Sequence, residues 1–218
     1  MFELRDAHIG YNGTTVLDGI TLTIEQGERV AVIGKSGSGK TSLLRRLYQQ
    51  QRATAALVPQ ELGLVRTLSV FHNIYMGRLA HQGLAYNLIN LIRPLAREIE
   101  RVGRIAEPLG LAEKLHEPAG ELSGGQQQRV AVARALNFGA KTIVADEPVS
   151  ALDPARQRHV LDLIADRHET ILIAMHDISA VLDLATRVIG IAQGRIVVDE
   201  ATAQFDQASL DGLGLTDG

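Results

Sequence analysis

Apolar and polar positions follow two distinct periods along this chain. Phe2-Glu-Leu-Arg5 and Ile20-Thr-Leu-Thr-Ile-Glu25 alternate residue by residue, the pattern of strands with one face in water. Asn12-Gly13 between them is a hairpin-turn dipeptide, because both residue types tolerate positive φ. Residues 30–33, 142–145 and 170–175 are instead short continuous apolar runs, each followed by a polar loop. Such runs predict strands buried on both faces, the centre of a parallel sheet with crossover helices. Arg187-Val-Ile-Gly-Ile-Ala192 and Arg195-Ile-Val-Val-Asp199 flank Gln193-Gly194, which predicts a closing hairpin. Between Thr67 and Phe138 the period lengthens: Leu84, Leu88, Leu91, Leu95, Ile99 and Val102 recur at three- and four-residue steps. The run is short and Pro94 lies inside it, so an ordinary packing face is expected rather than a zipper.

Composition narrows the class. The chain has 218 residues, which suits one domain with a sizeable core. Its net charge is −3, so electrostatics offer no reason to expect nucleic acid as a partner. Without cysteine, disulfides, thiolate metal sites and cysteine nucleophiles are excluded. Met1-Phe-Glu-Leu-Arg-Asp6 has neither a basic n-region nor an apolar h-region, and no window reaches the roughly 18 apolar residues of a membrane span. The expectation is a soluble, intracellular protein that remains free to dock on a membrane protein.

One stretch outweighs the rest. Gly34-Lys35-Ser36-Gly37-Ser38-Gly39-Lys40-Thr41 matches G-x-x-x-x-G-K-[ST] in full. Arg29-Val-Ala-Val-Ile33 before it reads as a buried strand, and Thr41-Ser42-Leu-Leu-Arg-Arg-Leu-Tyr48 after it has helical spacing. Strand, glycine loop and helix are the context a phosphate-binding loop requires. The glycines let successive N–H groups point inward at phosphate oxygens, aided by the positive end of the helix. Lys40 is expected to reach the β- and γ-phosphates, and the Thr41 hydroxyl to hold Mg²⁺. An accidental glycine-rich turn has a probability on the order of 1% in a chain this size, and the flanking elements lower it. Nucleotide binding follows.

A second motif, Leu122-Ser123-Gly124-Gly125-Gln126, continues as Gln127-Gln-Arg-Val-Ala-Val-Ala-Arg-Ala-Leu136. Ser123 can cap the helix that follows while the glycines leave its start open, a second anion-binding helix end on one chain. This stretch resembles the signature motif of ATP-binding cassette (ABC) ATPases nearly letter for letter. The remaining parts appear in that family's order. Ile143-Val-Ala-Asp146-Glu147 resembles a Walker B strand with its catalytic glutamate, and Ser150-Ala-Leu-Asp153 the D-loop. The resemblance implies that Asp146, with Thr41 and Gln60, supports Mg²⁺, and that Glu147 polarises the attacking water. It implies further that His176 contacts the γ-phosphate as a switch histidine. Gln60 would be the Q-loop glutamine, touching Mg²⁺ and water, and Tyr11 would stack on adenine. ATP-binding is thus expected of Tyr11, Gly34, Lys35, Ser36, Gly37, Ser38, Gly39, Lys40, Thr41 and Ser42. Ser123, Gly124, Gly125 and Gln126 would act on the nucleotide of a partner copy.

The resemblance spans residues 2–200 and implies an α/β P-loop cassette: a RecA-like core, an N-terminal antiparallel β subdomain and an inserted helical lobe. Residues 1–60 and 140–218 are expected to form the nucleotide-binding core and residues 61–139 the lobe with the signature. One departure is visible. Only 20 positions separate Lys40 from Gln60, fewer than the family usually shows, which leaves the packing near residues 50–54 open. The other histidines, His8, His72, His81, His116, His159 and His168, show no metal-ligand spacing.

Three functions compete at this point: the motor of a membrane importer, a signalling ATPase of a cell-division or lipoprotein-handling complex, and a soluble cassette without a transport role. Single copies of each motif argue against tandem translation-factor cassettes, and the absence of a long coiled coil argues against chromosome-maintenance relatives. Thr67-Leu-Ser-Val-Phe-His-Asn-Ile-Tyr-Met-Gly-Arg-Leu79 resembles the stretch after the Q-loop in phosphonate and phosphite importer ATPases, with Asn73-Ile74 and Gly77-Arg78-Leu79 as the matching residues. The implied partners are a second copy in a head-to-tail dimer, integral membrane permease subunits and, indirectly, a substrate-binding protein. The implied place is the cytoplasmic face of the cell membrane. Leu62, Leu64, Val65, Leu68 and Phe71, beside Gln60, are expected to divide between the lobe's core and a docking patch for the permease.

Overall fold

The computed structural model describes residues 1–11, 13–175 and 182–204. Strands β1 (Phe2–Tyr11) and β2 (Thr14–Ile24) form a separate two-stranded antiparallel sheet in which Tyr11 faces Thr14 across the turn. Gly13 there has φ 80°; Asn12 lies outside the described residues. The main sheet contains β3 (Arg29–Ile33), β4 (Ala55–Val58), β5 (Thr142–Asp146), β6 (Thr170–Ala174), β7 (Arg187–Ala192) and β8 (Arg195–Ala201), in the order β4-β5-β6-β3-β7-β8. The first five in that order run parallel, and β8 closes the edge antiparallel to β7. The three apolar runs therefore lie at the centre, and the closing hairpin forms as expected. β4 is a further strand, four residues long, that periodicity alone did not mark.

Alternation within the buried strands sorts side chains onto two faces. Val30, Val32, Val144, Leu172 and Ala174 join Phe2, Leu4, Leu17, Ile20, Leu22 and Ile24 of the small sheet and Leu43, Leu44 and Leu47 of helix α1 (Lys40–Gln51) in one core. Ala31, Ile33, Ile143, Ala145, Ile171 and Ile173 face the other way, onto helices α5 (Gly124–Phe138) and α6 (Pro154–Arg167). Each fully buried aliphatic side chain there stabilises the fold by about 1.5–3 kcal/mol.

Residues 61–139 carry α2 (Val70–Tyr75), α3 (Leu84–Ile92), α4 (Ala96–Ala106) and α5, with 3₁₀ turns between them. Their core is continuous with the sheet's second face: Val70, Phe71, Ile74, Val102 and Ile105 belong to the same cluster as Ala31 and Ile33. No helix among the described residues is long and apolar enough to cross a membrane.

The leucine stripe is not one packing face. Val102 is fully buried and Ile99 packs against the core, but Leu84, Leu88 and Leu91 on α3 are exposed. Helical periodicity reports that a helix has an apolar side; it does not report which way that side points.

The shortened segment after Lys40 has a simple solution. α1 runs into β4 through residues 52–54, and its last turn is stitched to β1. The Gln50 side chain accepts from Glu3 N (3.1 Å) and donates to Glu3 O (2.7 Å), while Gln51 Nε2 donates to Met1 O.

His168, which follows α6, is 3% exposed and donates from Nδ1 to Ile164 O at 2.9 Å. Burial holds its pKa below the ordinary 6.5 and Arg167 lowers it further, the Ile164 bond opposing only in part. The unfolded chain takes up this proton near pH 6.5 while the folded chain resists it. The contribution of His168 is therefore complete above that pH and is lost as pH falls below it. Urea denaturation of the wild type should lose more stability than His168→Phe on going from pH 7 to about 5.5.

Candidate functional site

The C-terminal edge of the parallel strands gathers the residues singled out above, as expected of open α/β sheets. β3 ends at Ile33 and the chain enters a loop in which Gly34, Gly37 and Gly39 have φ 151°, 76° and 108°. Two of them are also required sterically. A Cβ on Gly34 would lie 2.4 Å from Ile191 O, and one on Gly39 would lie 2.6 Å from Leu17 Cδ2. α1 starts at Lys40 immediately after, which aims its first-turn N–H groups and positive dipole end into the loop. Lys40 is 6% exposed, and its Nζ donates to Gly34 O at 2.5 Å and Lys35 O at 3.0 Å. The ammonium thus spans the loop from inside.

Ser36, Gly37, Gly39, Lys40, Thr41, Ser42, Gln60 and Glu147 share one cavity of about 300 Å³ with Val16 of β2. Ser38 and Lys35 line a neighbouring cavity with Val16 and residues 191–194. Thr41 Oγ1 donates to Gln60 Oε1 at 3.2 Å, so the loop after β4 meets the start of α1. Asp146, the last residue of β5 and 5% exposed, lines a third cavity of about 260 Å³ together with Thr41 and Gln60. Three oxygen-bearing side chains from three elements therefore converge, a donor set suited to a hard cation.

Glu147 follows at φ 52°, a left-handed conformation that costs a non-glycine residue about 1–3 kcal/mol unless its surroundings impose it. They do so here. Glu147 N donates to Ala174 O at 2.9 Å, and Glu147 O accepts from Gln128 Nε2 at 2.6 Å. Gln128, 4% exposed on α5, also donates to Ser150 Oγ (3.0 Å) and accepts from Ala151 N (2.8 Å).

α5 begins with a complete capping box. Gln126 N donates to Ser123 Oγ at 3.3 Å, and Ser123 N donates to Gln126 Oε1 at 2.9 Å. Ser123 and Gly124 are exposed, and Gly125 lies so close to residue 151 that a Cβ would meet Ala151 O at 2.9 Å. None of Ser123, Gly124, Gly125 or Gln126 lines the three cavities above.

Comparison with known proteins agrees with this geometry. The family model described as ABC transporter matches residues 17–56 and 46–150. The chain belongs to the ABC transporter family. The two matched pieces meet within the shortened segment. The chain is 35% identical to a phosphonates import ATP-binding protein of Rhizobium etli, an alignment covering 99% of this chain and 89% of that one. It is 36% identical to another protein of that description from Pseudomonas syringae pv. tomato, over 93% and 86%. Among solved structures, a dimeric bacterial ABC transporter cassette superposes with a TM-score of 0.76 at 26% identity, over 94% of this chain and 100% of that one. A second ABC cassette gives 0.75 at 23% over both full chains and bears on the fold alone. This is an ABC cassette ATPase, an α/β P-loop fold with an antiparallel β subdomain.

Set against the family's parts, the structure brings together the P-loop, Thr41, Gln60, Asp146 and Glu147. Asp153 caps α6, its Oδ1 accepting from Arg156 N at 3.0 Å while Oδ2 pairs with the Arg156 guanidinium at 3.1 Å. Tyr11 stands at the end of β1, 44% exposed, with the Arg45 guanidinium 6.0 Å from its ring centroid. It lines none of the three cavities, whereas Val16 lines two of them. His176 lies outside the described residues.

Sequence reasoning passed over Gln128, Val16 and Arg134. Arg134 donates to Leu62 O and, at 2.6 Å, to Gly63 O, and burial pulls its guanidinium below the ordinary pKa. The one available signal for Gln128 was an uncharged polar residue one helical turn from Gly124, on the side that carries Val132. Removing its bonds should release the Glu147 turn without touching the P-loop. Gln128→Ala is expected to lower kcat, by up to ~10²-fold as for a small misplacement of reacting groups, with nucleotide affinity kept. Equilibrium nucleotide binding beside steady-state hydrolysis checks that split.

Proposed function

We propose that this cassette is the ATP-hydrolysing subunit of a membrane importer, with phosphonate or a related small oxyanion as the solute. The observation that carries the reading is the likeness to phosphonates import ATP-binding proteins across nearly the whole chain. Residues 1–60 and 140–218 act as the nucleotide-binding core and residues 61–139, helical in every named element, as the lobe that carries the signature. The P-loop N–H groups and Lys40 hold the phosphates. Thr41, Gln60 and Asp146 hold Mg²⁺, which neutralises charge on the β- and γ-phosphates when bound. Glu147 orients and polarises the attacking water.

The exposed start of α5 is what makes a second copy necessary on this reading. Ser123, Gly124, Gly125 and Gln126 lie outside the P-loop cavities, so they serve the nucleotide of a head-to-tail partner. ATP, through its γ-phosphate, favours the closed pair and ADP does not, a ligand-driven population shift. The pair works against permease subunits at the cytoplasmic face, fed by a substrate-binding protein.

The permease groove is assigned to the segment after Gln60. Phe71 is buried, and Leu62 and Leu64 pack against the core. Val65, at 38% exposed, is the residue of that set turned outward. Leu64 is therefore a poor test position, since a charge there would disturb packing.

Glu147→Gln should keep ATP binding, cut turnover about 10²-fold or more and accumulate the closed dimer on ATP. Lys40→Ala should instead weaken ATP affinity, because a charge-assisted phosphate contact is lost. Wild-type hydrolysis by Glu147→Gln would show that another group activates the water. For the partner, Val65→Glu should abolish co-purification with the permease while basal hydrolysis persists. In the complex reconstituted with its binding protein, phosphonate should raise ATP turnover; indifference to phosphonate, phosphite and phosphate alike would remove the solute assignment.

A further inference from the structure

α3 is built inside out. Its polar residues point inward. Asn90 is fully buried, donating to Tyr86 O (2.9 Å) and accepting from Leu95 N (3.0 Å). Asn87 donates to Leu79 O (3.0 Å) and accepts from the Tyr75 hydroxyl (2.8 Å). The Tyr86 hydroxyl donates to Glu98 Oε1 at 2.7 Å and accepts from Arg97 Nε at 2.7 Å, and Glu98, 2% exposed, pairs with Arg101 at 2.8 Å. The opposite side carries Leu84, Leu88, Ile89, Leu91 and Ile92, between 49% and 84% exposed. An amphipathic helix on a water-facing surface has the reverse arrangement. A contiguous exposed apolar face of this kind marks a contact with something apolar.

Charge says what that something is. The helix itself has no charged residue, yet the stretch from Met76 to Ala106 carries five arginines and two glutamates, a net +3 in a chain of net −3. One of those glutamates is the buried, paired Glu98, while Arg93, Arg97 and Arg104 are exposed. An uncharged apolar face flanked by arginines is the composition of a helix lying in the interface of an anionic bilayer, its apolar side sunk ~5–10 Å into the headgroup boundary. A second copy of the chain fits poorly. Nine residues of helix are only about 13 Å long and cannot supply the ~800 Å² per partner of a standard interface.

We infer that α3 is a lipid-contacting helix, by which the cassette binds the surface of an anionic membrane directly, without its permease. The inference does not depend on the importer reading, and its test uses neither permease nor solute. The chain contains no tryptophan, so Leu88→Trp is a sole reporter on the apolar face. With full-length protein, its emission should shift to the blue and be quenched by brominated acyl chains on vesicles containing phosphatidylglycerol. Binding to phosphatidylcholine vesicles should be roughly tenfold or more weaker, because each surface arginine loses its anionic partners. Added salt should weaken the anionic binding, and Arg93→Gln with Arg104→Gln should flatten that salt dependence. Leu88→Gln with Ile92→Gln should reduce vesicle binding roughly tenfold or more with melting temperature and hydrolysis unchanged, since these side chains face away from the core. An emission maximum unmoved by either vesicle overturns the inference. So does sedimentation showing a dimer of the chain alone that the Gln pair dissolves, or permease capture that the Gln pair abolishes while vesicles are ignored; those results would assign the face to self-association or to a protein partner.

Discussion

The hydrogen bonds made by α5 hold the site in one piece. Its capped N-terminus carries Ser123 and Gln126, Gln128 holds the backbone of Glu147 and the Ser150 turn, and Arg134 holds the carbonyls of Leu62 and Gly63 just past Gln60. Asn137 Nδ2 donates to Ile74 O at 2.9 Å, which fixes α2 to the same helix. Each such bond contributes only about 1 kcal/mol net, but losing one partner leaves a buried group unsatisfied at about 1–3 kcal/mol. A helix is stiff along its axis. The signature end, the glutamate turn and the loop leading toward the proposed permease groove must therefore move together or not at all, which is the mechanical requirement for coupling hydrolysis to a partner.

Two strained backbones sit where this helix reaches. Glu147 has φ 52° and Leu62 has φ 47°, and each carbonyl accepts from a side chain of α5. Strain of this kind persists only where the surroundings over-determine it. Both positions flank the cavity lined by Gln60 and Asp146, so the cost is localised at the cluster proposed to handle Mg²⁺ and water. The P-loop solves a different problem, close backbone approach, with glycine at Gly34 and Gly39, where a Cβ would collide with Ile191 and Leu17. Those contacts tie the loop to β7 and to the small sheet and keep its N–H groups in place.

Much of this was legible in the chain because the signals are local. Alternation in residues 2–5 and 20–25 follows from the two-residue period of a strand, and the continuous apolar runs at 30–33, 142–145 and 170–175 from burial on both faces of a parallel sheet; both are local patterns. The strand at Ala55–Val58 escaped because Ala-Ala-Leu-Val holds a single β-branched residue and carries little strand preference of its own. The stripe from Leu84 to Val102 has the period of one packing face, yet its direction depends on partners outside α3: Tyr75 and Glu98 satisfy the polar side of that helix and draw it inward. Gln128 escaped for a related reason: among three consecutive glutamines only its shared side with Gly124 and Val132 marks it, and the partners that bury it, Glu147 and Ser150, lie on another element. The pattern shared with phosphonate importers also has a plain physical content here. Asn73 bonds to the backbone of Val65, Leu68 and Ser69, and a Cβ on Gly77 would meet Arg134 O at 2.3 Å. These residues shape the lobe and its exposed Val65.

The shortened segment between α1 and β4 shows how little such an architecture needs at its margin. A two-stranded sheet leaves the outer edge of β1 with unpaired N–H and C=O groups, which invite non-native pairing. The Gln50 amide meets the N–H and C=O of Glu3 as a neighbouring strand would, and Gln51 takes the carbonyl of Met1. Side chains at the end of a helix thus stand in for part of a strand. Because α1 is anchored at its start by the P-loop and at its end by β1, the short turn at residues 52–54 can return the chain directly into β4. Gln60 still arrives within 3.2 Å of Thr41.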